Sequence, residues 1–411
     1  MNLGKYICLG IILLGVSVMF AGCTTETKNV ELEYDTQEHE YVHGDDGYYC
    51  LLSKVPYELE NQVGETCWIY SSVASMETGY EYKTGKTVDL DPVKVLEYVF
   101  PDDAEEGLFI QKNLSKTEVG GWIWLVTESL SNGFGDYVLD DATILGDFDA
   151  EVVKDYLQNR GAVNVVMPDR DQSKQKIIDN YRTVNYVTDK DEDYDHQVAL
   201  VGWDDSFPKD YFKEAASSDG AWIAYNSAEA DRLYYISYDT KLREPIGLSM
   251  SDEYAGVLSY DCGNEGDKNI CLGDETKVAN VYAYEGKLGA VGIYNVAKEQ
   301  DICIEIYDQD FSKLLYTRNS HMATKGYHVI PLDKPVKVNG FAIAVTFTEG
   351  APVEGETIDM DHILYSTVSH AGESYIYLDG QWQDLSDATV YSKLGLDVVP
   401  NNACIKGLVK E

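Results

Sequence analysis

Apolar positions in the first half of the chain recur at helical spacing, and those in the last third alternate. From Cys67 to Tyr80, Ile69, Val73 and Met76 fall three or four apart, which predicts a helix with that face on a core. Asp91 followed by Pro92 and Val93-Lys94-Val95-Leu96 reads as an N-cap with proline in the first turn of a second helix. Gly121 to Leu130 and Glu151 to Asn159 read as two more, with Trp122 and Trp124 as packing residues. Gly161 to Met167, His196 to Trp203, Gly220 to Ser227 and Leu233 to Tyr238 are short apolar runs that predict buried strands. Helices first and strands afterwards make an α+β layout with a cleft between the two groups.

The texture changes at about Tyr254. Val278 to Tyr284, Leu288 to Tyr294, Ile302 to Tyr307, Tyr327 to Pro331, Phe341 to Phe347 and Glu373 to Leu378 are alternating runs separated by Gly, Asp, Asn and Pro turns. That spacing predicts an antiparallel β-sandwich. The expected boundaries are a leader at 1–22, a tether at 23–45, a first domain at 46–245 and the sandwich at 254–411.

One stretch carries chemistry. Asn61-Gln62-Val63-Gly64-Glu65-Thr66-Cys67-Trp68 places a cysteine where the first helix should begin, with a glutamine five positions before it. Helix N-termini carry unpaired N–H groups and partial positive charge, so they stabilise a thiolate and can bind an oxyanion, to which Gln62 would add a second donor. A thiolate needs a base, and His196 is the only histidine between residues 46 and 320. A third group must hold the imidazole, and Asn226, at the end of the next strand, is placed to do so.

At these residues the chain resembles the papain-like cysteine peptidases. The match consists of Gln62, Cys67-Trp68, Gly120-Gly121, Asp195-His196-Gln197-Val198-Ala199-Leu200-Val201-Gly202, and Trp222 with Asn226-Ser227. Cys67 and His196 stand 196 − 67 = 129 positions apart, close to the interval in that family. The resemblance implies a two-lobed peptidase in which Cys67 attacks, His196 is base then acid, Asn226 orients the imidazole and Gln62 completes the oxyanion hole. Gly120 and Gly121 would line the cleft, leaving room for an extended substrate backbone to pair there.

The sandwich, through Ala279-Asn280-Val281-Tyr282, Ala290 to Tyr294, Gly372 to Tyr375 and Trp382 with Asp384-Leu385, resembles the lectin-like domain behind some bacterial and archaeal members. A name of that kind does not establish sugar binding. Trp382 and most tyrosines are read as core or interface residues.

The chain also departs from the pattern. The family usually spaces its glutamine six residues before the cysteine, and Glu65 stands where a small residue is common. Asn226-Ser227-Ala228-Glu229 replaces the usual Asn-Ser-Trp-Gly, so no indole follows to cover the His–Asn bond. The 226 − 196 = 30 residues between His196 and Asn226 include Asp205 to Asp219, read as a surface insertion.

Lys5 followed by an apolar run from Tyr6 to Ala21 and by Gly22-Cys23 resembles a bacterial lipoprotein signal with lipid on Cys23; the plainer reading is an ordinary signal peptide cut nearby. Either implies secretion, and lipidation would anchor the protein to the outer face of the membrane. The chain holds 32 Lys+Arg against 71 Asp+Glu, a formal net charge of −39, which repels nucleic acid and steers cationic peptides inward. Salt adaptation would give the same composition. The acidic run Asp189 to Asp195 fails as an EF-hand, since Tyr194 fills the glycine position and Leu200 the bidentate one, so it is read as a solvated loop with no metal. Cys262 and Cys271 either close a short loop or stay separate thiols.

The sequence therefore predicts a lipid-anchored, extracellular cysteine endopeptidase acting on peptide or protein substrates without a cofactor, with a carbohydrate or cell-surface ligand as a candidate partner of the sandwich. Two alternatives remain: a non-catalytic surface binding protein on a decayed peptidase scaffold, and a Cys/His/His cell-wall amidase in which another polar group replaces Asn226.

Overall fold

A computed structural model describes residues 33–34, 41, 43–44 and 46–411, apart from 103–105, 112–113, 169–173, 179–180, 189, 192–193, 263–269, 356–357, 361 and 397–400. The leader and Cys23 lie outside the described residues.

Helix α1 (Cys67–Thr84) is the wall shared by the two lobes of the first half. Every residue from Trp68 to Tyr80 is buried, so Ile69, Val73 and Met76 face a core as expected, but so does the other side. Trp68, Ile69, Val73 and Met76 pack with α2 (Pro92–Val99) and α3 (Ile123–Leu130), while Tyr70 and Ala74 join a core built from strands. A helix between two cores is buried all round, and its polar Ser71, Ser72 and Ser75 fit there because each donates to a backbone carbonyl. Asp91 caps α2 by accepting from the Val93 and Lys94 N–H groups, and Asp149 caps α4 (Ala150–Asn159) in the same way. Gly79 and Gly161 let α1 pass the chain leading into the strand Val163–Pro168, since a Cβ on Gly161 would stand 2.9 Å from Gly79 Cα.

The strand lobe centres on Tyr194–Asp204, which pairs antiparallel with Val163–Pro168, Ala221–Tyr225 and Tyr48–Cys50. Leu233–Ser237 extends it, antiparallel to Ala221–Tyr225 and parallel to Tyr181–Val184. The expected tether is not wholly separate from this lobe: Glu33–Tyr34 pairs parallel with Lys176–Ile178, and the Tyr41 hydroxyl donates to Asp204 at 2.7 Å. The segment read as a surface insertion is anchored as well, because Phe207 and Phe212 are buried in the strand-lobe core.

The last third is an antiparallel sandwich. Two pairs of expected strands prove to be two continuous ones, Thr276–Asn295 and Lys325–Phe347, paired along most of their length. Their register shifts between Tyr282 and Glu285 and again between Leu288 and Ala290, irregularities of the kind that bend a strand without ending it. Gln300–Asp308 and Leu314–Met322 extend one edge, and Ser374–Leu378 and Ile405–Lys410 pair with the first long strand.

The two halves share secondary structure and core. Arg243–Ser251 pairs with Val138–Ile144 and Val163–Pro168, Lys325–His328 pairs antiparallel with Asp141–Ile144, and Ile363–Ser366 pairs with Gly107–Ile110. Tyr294, Tyr327, Ile363, Tyr365 and Cys404 from the sandwich complete the core around α2 and α3.

Candidate active site

Cys67 is the first residue of α1 and is half-buried, with no acidic residue in the first turn. The loop before it is fixed by close backbone contacts. Gly64 has φ +70°, the Glu65 N–H donates to the Thr117 carbonyl at 2.8 Å, and a Cβ on Gly64 would stand 2.1 Å from that same oxygen. Glycine is the residue such a turn needs. Thr117 lies in the short 3-10 turn Lys116–Glu118 that leads to Gly120-Gly121, and a Cβ on Gly121 would stand 2.6 Å from the Trp68 indole. Gly121 thus lies against the residue that follows Cys67.

His196 stands near the start of its strand, opposite Met167, and is buried. Its Nε2 lies 2.8 Å from Asn226 Oδ1. The same oxygen accepts the Ala228 N–H at 3.0 Å, which identifies it as the carbonyl end of the amide, so Nε2 carries the proton and donates. Asn226 is fully buried and begins the 3-10 turn Ser227–Glu229. Helix α1 packs against both the His196 strand and this turn.

Gln62 is joined to the same turn. Its N–H donates to the Ser227 carbonyl at 2.7 Å, its Oε1 accepts from Ser227 Oγ at 2.9 Å, and its Nε2 donates to the Gly64 carbonyl at 2.7 Å. Two further bonds bind the neighbouring residues to it: the Tyr225 hydroxyl donates to the Glu60 carbonyl at 2.6 Å, and the Ala230 N–H to Asn61 Oδ1 at 2.9 Å. Gln62 is thus hydrogen-bonded to Ser227 and His196 to the adjacent Asn226, so both reach one turn. The sequence reading includes Asn61 and Ser227 in the stretches that carry the site but gives neither of them a role.

The surroundings are acidic. Burial, with Asp89, Glu58 and Asp91 nearby, holds the Glu60 carboxyl above its ordinary range. Burial pushes Glu77 on α1 up to about 8, against a bond from the Leu90 N–H and with help from Asp89, Glu60 and Glu81. Among the described residues, Cys262 and Cys271 are not joined to each other by a disulfide. No helix among the described residues is long and apolar enough to cross a membrane.

A family model described as a lectin-like domain matches residues 240–408. No curated protein matches the chain. Among solved structures, the clostridial cysteine protease Cwp84 after propeptide cleavage is 19% identical with a TM-score of 0.69, covering 88% of this chain and 99% of that one. The cysteine protease and lectin-like domains of Cwp84, a surface layer associated protein of Clostridium difficile, give 18% identity and a TM-score of 0.68, with 91% of each chain covered. The fold is thus that of a papain-like cysteine peptidase followed by a lectin-like domain.

Proposed function

We propose that the chain is a cysteine endopeptidase in which Cys67 and His196 act as a thiolate–imidazolium pair. The observation that carries this reading is the 2.8 Å bond from His196 Nε2 to a buried Asn226 Oδ1, with the half-buried Cys67 opening the helix that packs on both of their elements. With Nε2 committed to Asn226, Nδ1 is the nitrogen that exchanges a proton with substrate and water. The Cys67 thiolate adds to the peptide carbonyl carbon, and the negative charge moves to the carbonyl oxygen. The backbone N–H groups at the start of α1 and the second Nε2 hydrogen of Gln62 receive that oxyanion. Collapse breaks the C–N bond as His196 Nδ1–H protonates the departing amine, leaving a thioester. Water, losing its proton to Nδ1, then adds to the thioester and releases the carboxylic acid and Cys67.

Gly120 and Gly121 would receive the substrate backbone, and the −39 formal charge favours peptides carrying Lys or Arg. We place the protein outside the cell, tethered to the outer membrane face by lipid on Cys23, with the sandwich taking a carbohydrate or cell-surface ligand. Loss of metabolic palmitate labelling in Cys23→Ser tests the anchor.

A fluorogenic peptide library and a thiol-directed epoxide test the chemistry together. Wild type should cleave and take one label, and Cys67→Ala should do neither. A folded wild type that cleaves nothing and leaves Cys67 unlabelled at neutral pH would instead favour the binding protein on a decayed scaffold.

A further inference from the structure

We propose that Asn61 is a positioning residue for the His196–Asn226 pair, acting through the turn that carries Asn226; this rests on the catalytic reading of that pair. Papain-like enzymes often keep water from this bond with an indole two positions after the asparagine, and here that position is Ala228, which has only a methyl group. Asn226 is nevertheless fully buried, and His196 is 4% exposed. Other atoms must exclude the water.

The segment Glu60-Asn61-Gln62 is bonded to both ends of the turn. Tyr225, immediately before Asn226, donates to the Glu60 carbonyl at 2.6 Å, and Ser227 is bonded twice to Gln62. At the far end, Asn61 Oδ1 accepts the Ala230 N–H at 2.9 Å. Inside the turn, Asn226 Oδ1 accepts from Ala228 and from His196, while the Asn226 carbonyl accepts from Glu229 at 3.3 Å. The turn is therefore held at its start by His196 and at its end by Asn61. Freeing the Ala230 N–H would let the turn swing about its remaining attachments, and the amide oxygen aimed at Nε2 would move with it.

Asn61 is itself exposed, so replacing it removes little packing. Two readouts separate positioning from mere stability. In Asn61→Ala, kcat falls about tenfold or more while KM stays within about twofold, as expected when geometry at the reacting groups is relaxed without loss of substrate contacts. In the same variant the downfield proton resonance of His196 Nε2–H, slow to exchange in wild type and assigned by its loss in His196→Gln, broadens into the solvent signal. Asn61→Asp keeps an acceptor oxygen in place and restores both. If Asn61→Ala does not fold, Asn61→Ser, too short to reach Ala230, takes its place.

A wild-type protein that neither cleaves peptides nor takes the epoxide defeats the peptidase reading, yet the resonance still reports whether Asn61 holds the pair. An Asn61→Ala variant with wild-type kcat and an intact resonance overturns the inference and leaves the peptidase reading standing.

Discussion

His328 Nδ1 lies 2.6 Å from Asp141 Oδ1, across the junction where a sandwich strand runs beside a strand of the first half. The other ring nitrogen, Nε2, lies 2.9 Å from the Thr324 carbonyl. Both neighbours are acceptors, so the ring satisfies them together only as an imidazolium with two N–H groups. Burial alone would push His328 down, but the Asp141 hydrogen bond, its charge and the Thr324 carbonyl outweigh it, against a smaller opposing effect of Arg160, and hold the ring above its ordinary value. Thr143 Oγ1 donates to the second Asp141 oxygen at 2.5 Å, and Arg160 lies 3.8 Å from it.

A group whose folded pKa is raised gives stability that is whole below its unfolded value, about 6.5 for histidine, and is lost as pH climbs through the folded value. The junction should therefore weaken on the alkaline side. Glu77 and Glu354, both raised by burial, act in the same direction between the ordinary carboxylate range and about 8. The readout is thus the difference in thermal midpoint between wild type and His328→Gln, which should shrink as pH rises from 6 toward 9. A difference independent of pH would mean that the ring is neutral. Asp141→Asn should cost about 1.5–3 kcal/mol near pH 6, the range for a hydrogen bond to a charged group.

Asn226→Ala should leave the fold intact and lower turnover by about 10²-fold, since the imidazole loses the acceptor at Nε2 and acid–base catalysis is worth roughly that much or more. Steady-state kinetics on a cleaved library peptide measure it. Unchanged turnover would point to a Cys/His/His amidase using another polar group.

Gly64 should tolerate no side chain. Its φ of +70° already costs an L-residue, and a Cβ 2.1 Å from the Thr117 oxygen forces the loop away from the turn that leads to Gly120. Backbone strain alone costs about 1–3 kcal/mol. Because the displaced loop carries Gln62 and Cys67, Gly64→Ala should lower both the thermal midpoint and the rate of epoxide labelling. Gly121→Ala pushes on the buried Trp68 indole instead and should raise KM.

Local patterns in this sequence were more legible than contacts between distant segments. The cap at Asp91 and the period of Ile69, Val73 and Met76 are local, and they predict the helices found. The second buried side of α1 was not legible, because Ser71, Ser72 and Ser75 are polar by composition yet buried; all three donate to backbone carbonyls, Ser75 reaching Ala162 at 2.7 Å. Glu285-Gly286-Lys287 reads as a turn between two strands and instead lies within one, paired in register with Asn339, Val338 and Lys337 between two register shifts. In the candidate site, residue types and spacing single out Cys67, His196, Asn226 and Gln62, and of these the structure joins His196 to Asn226 directly. The bonds from Gln62 to Ser227 and from Ala230 to Asn61 join residues 165 and 169 positions apart, and no local pattern encodes them.

Lys406 extends the coupling between the halves into the interior. Its ammonium is fully buried, 2.6 Å from Asp261 Oδ2, 2.9 Å from the Asp261 carbonyl, 2.8 Å from Ser259 Oγ and 2.8 Å from Asn132 Oδ1. Asn132 belongs to the first half, just beyond α3, where Ser131 and Tyr294 also join hydroxyls at 2.9 Å. Lys406→Met should cost about 3–5 kcal/mol, because it leaves the Asp261 carboxylate buried without its cation. Close to Asp261 stands Glu354, whose carboxyl burial and then the Asp261 charge hold above the ordinary range, so the lost cation leaves two acids facing each other. Lys406→Met with Asp261→Leu removes both charges and should recover much of the loss. Since shared strands, a shared core and this ammonium all cross the junction, both variants should shift a single unfolding transition in calorimetry. Two separate transitions, with only the later part of the chain responding to Lys406→Met, would show that the halves fold independently and that the first half needs no support from the sandwich.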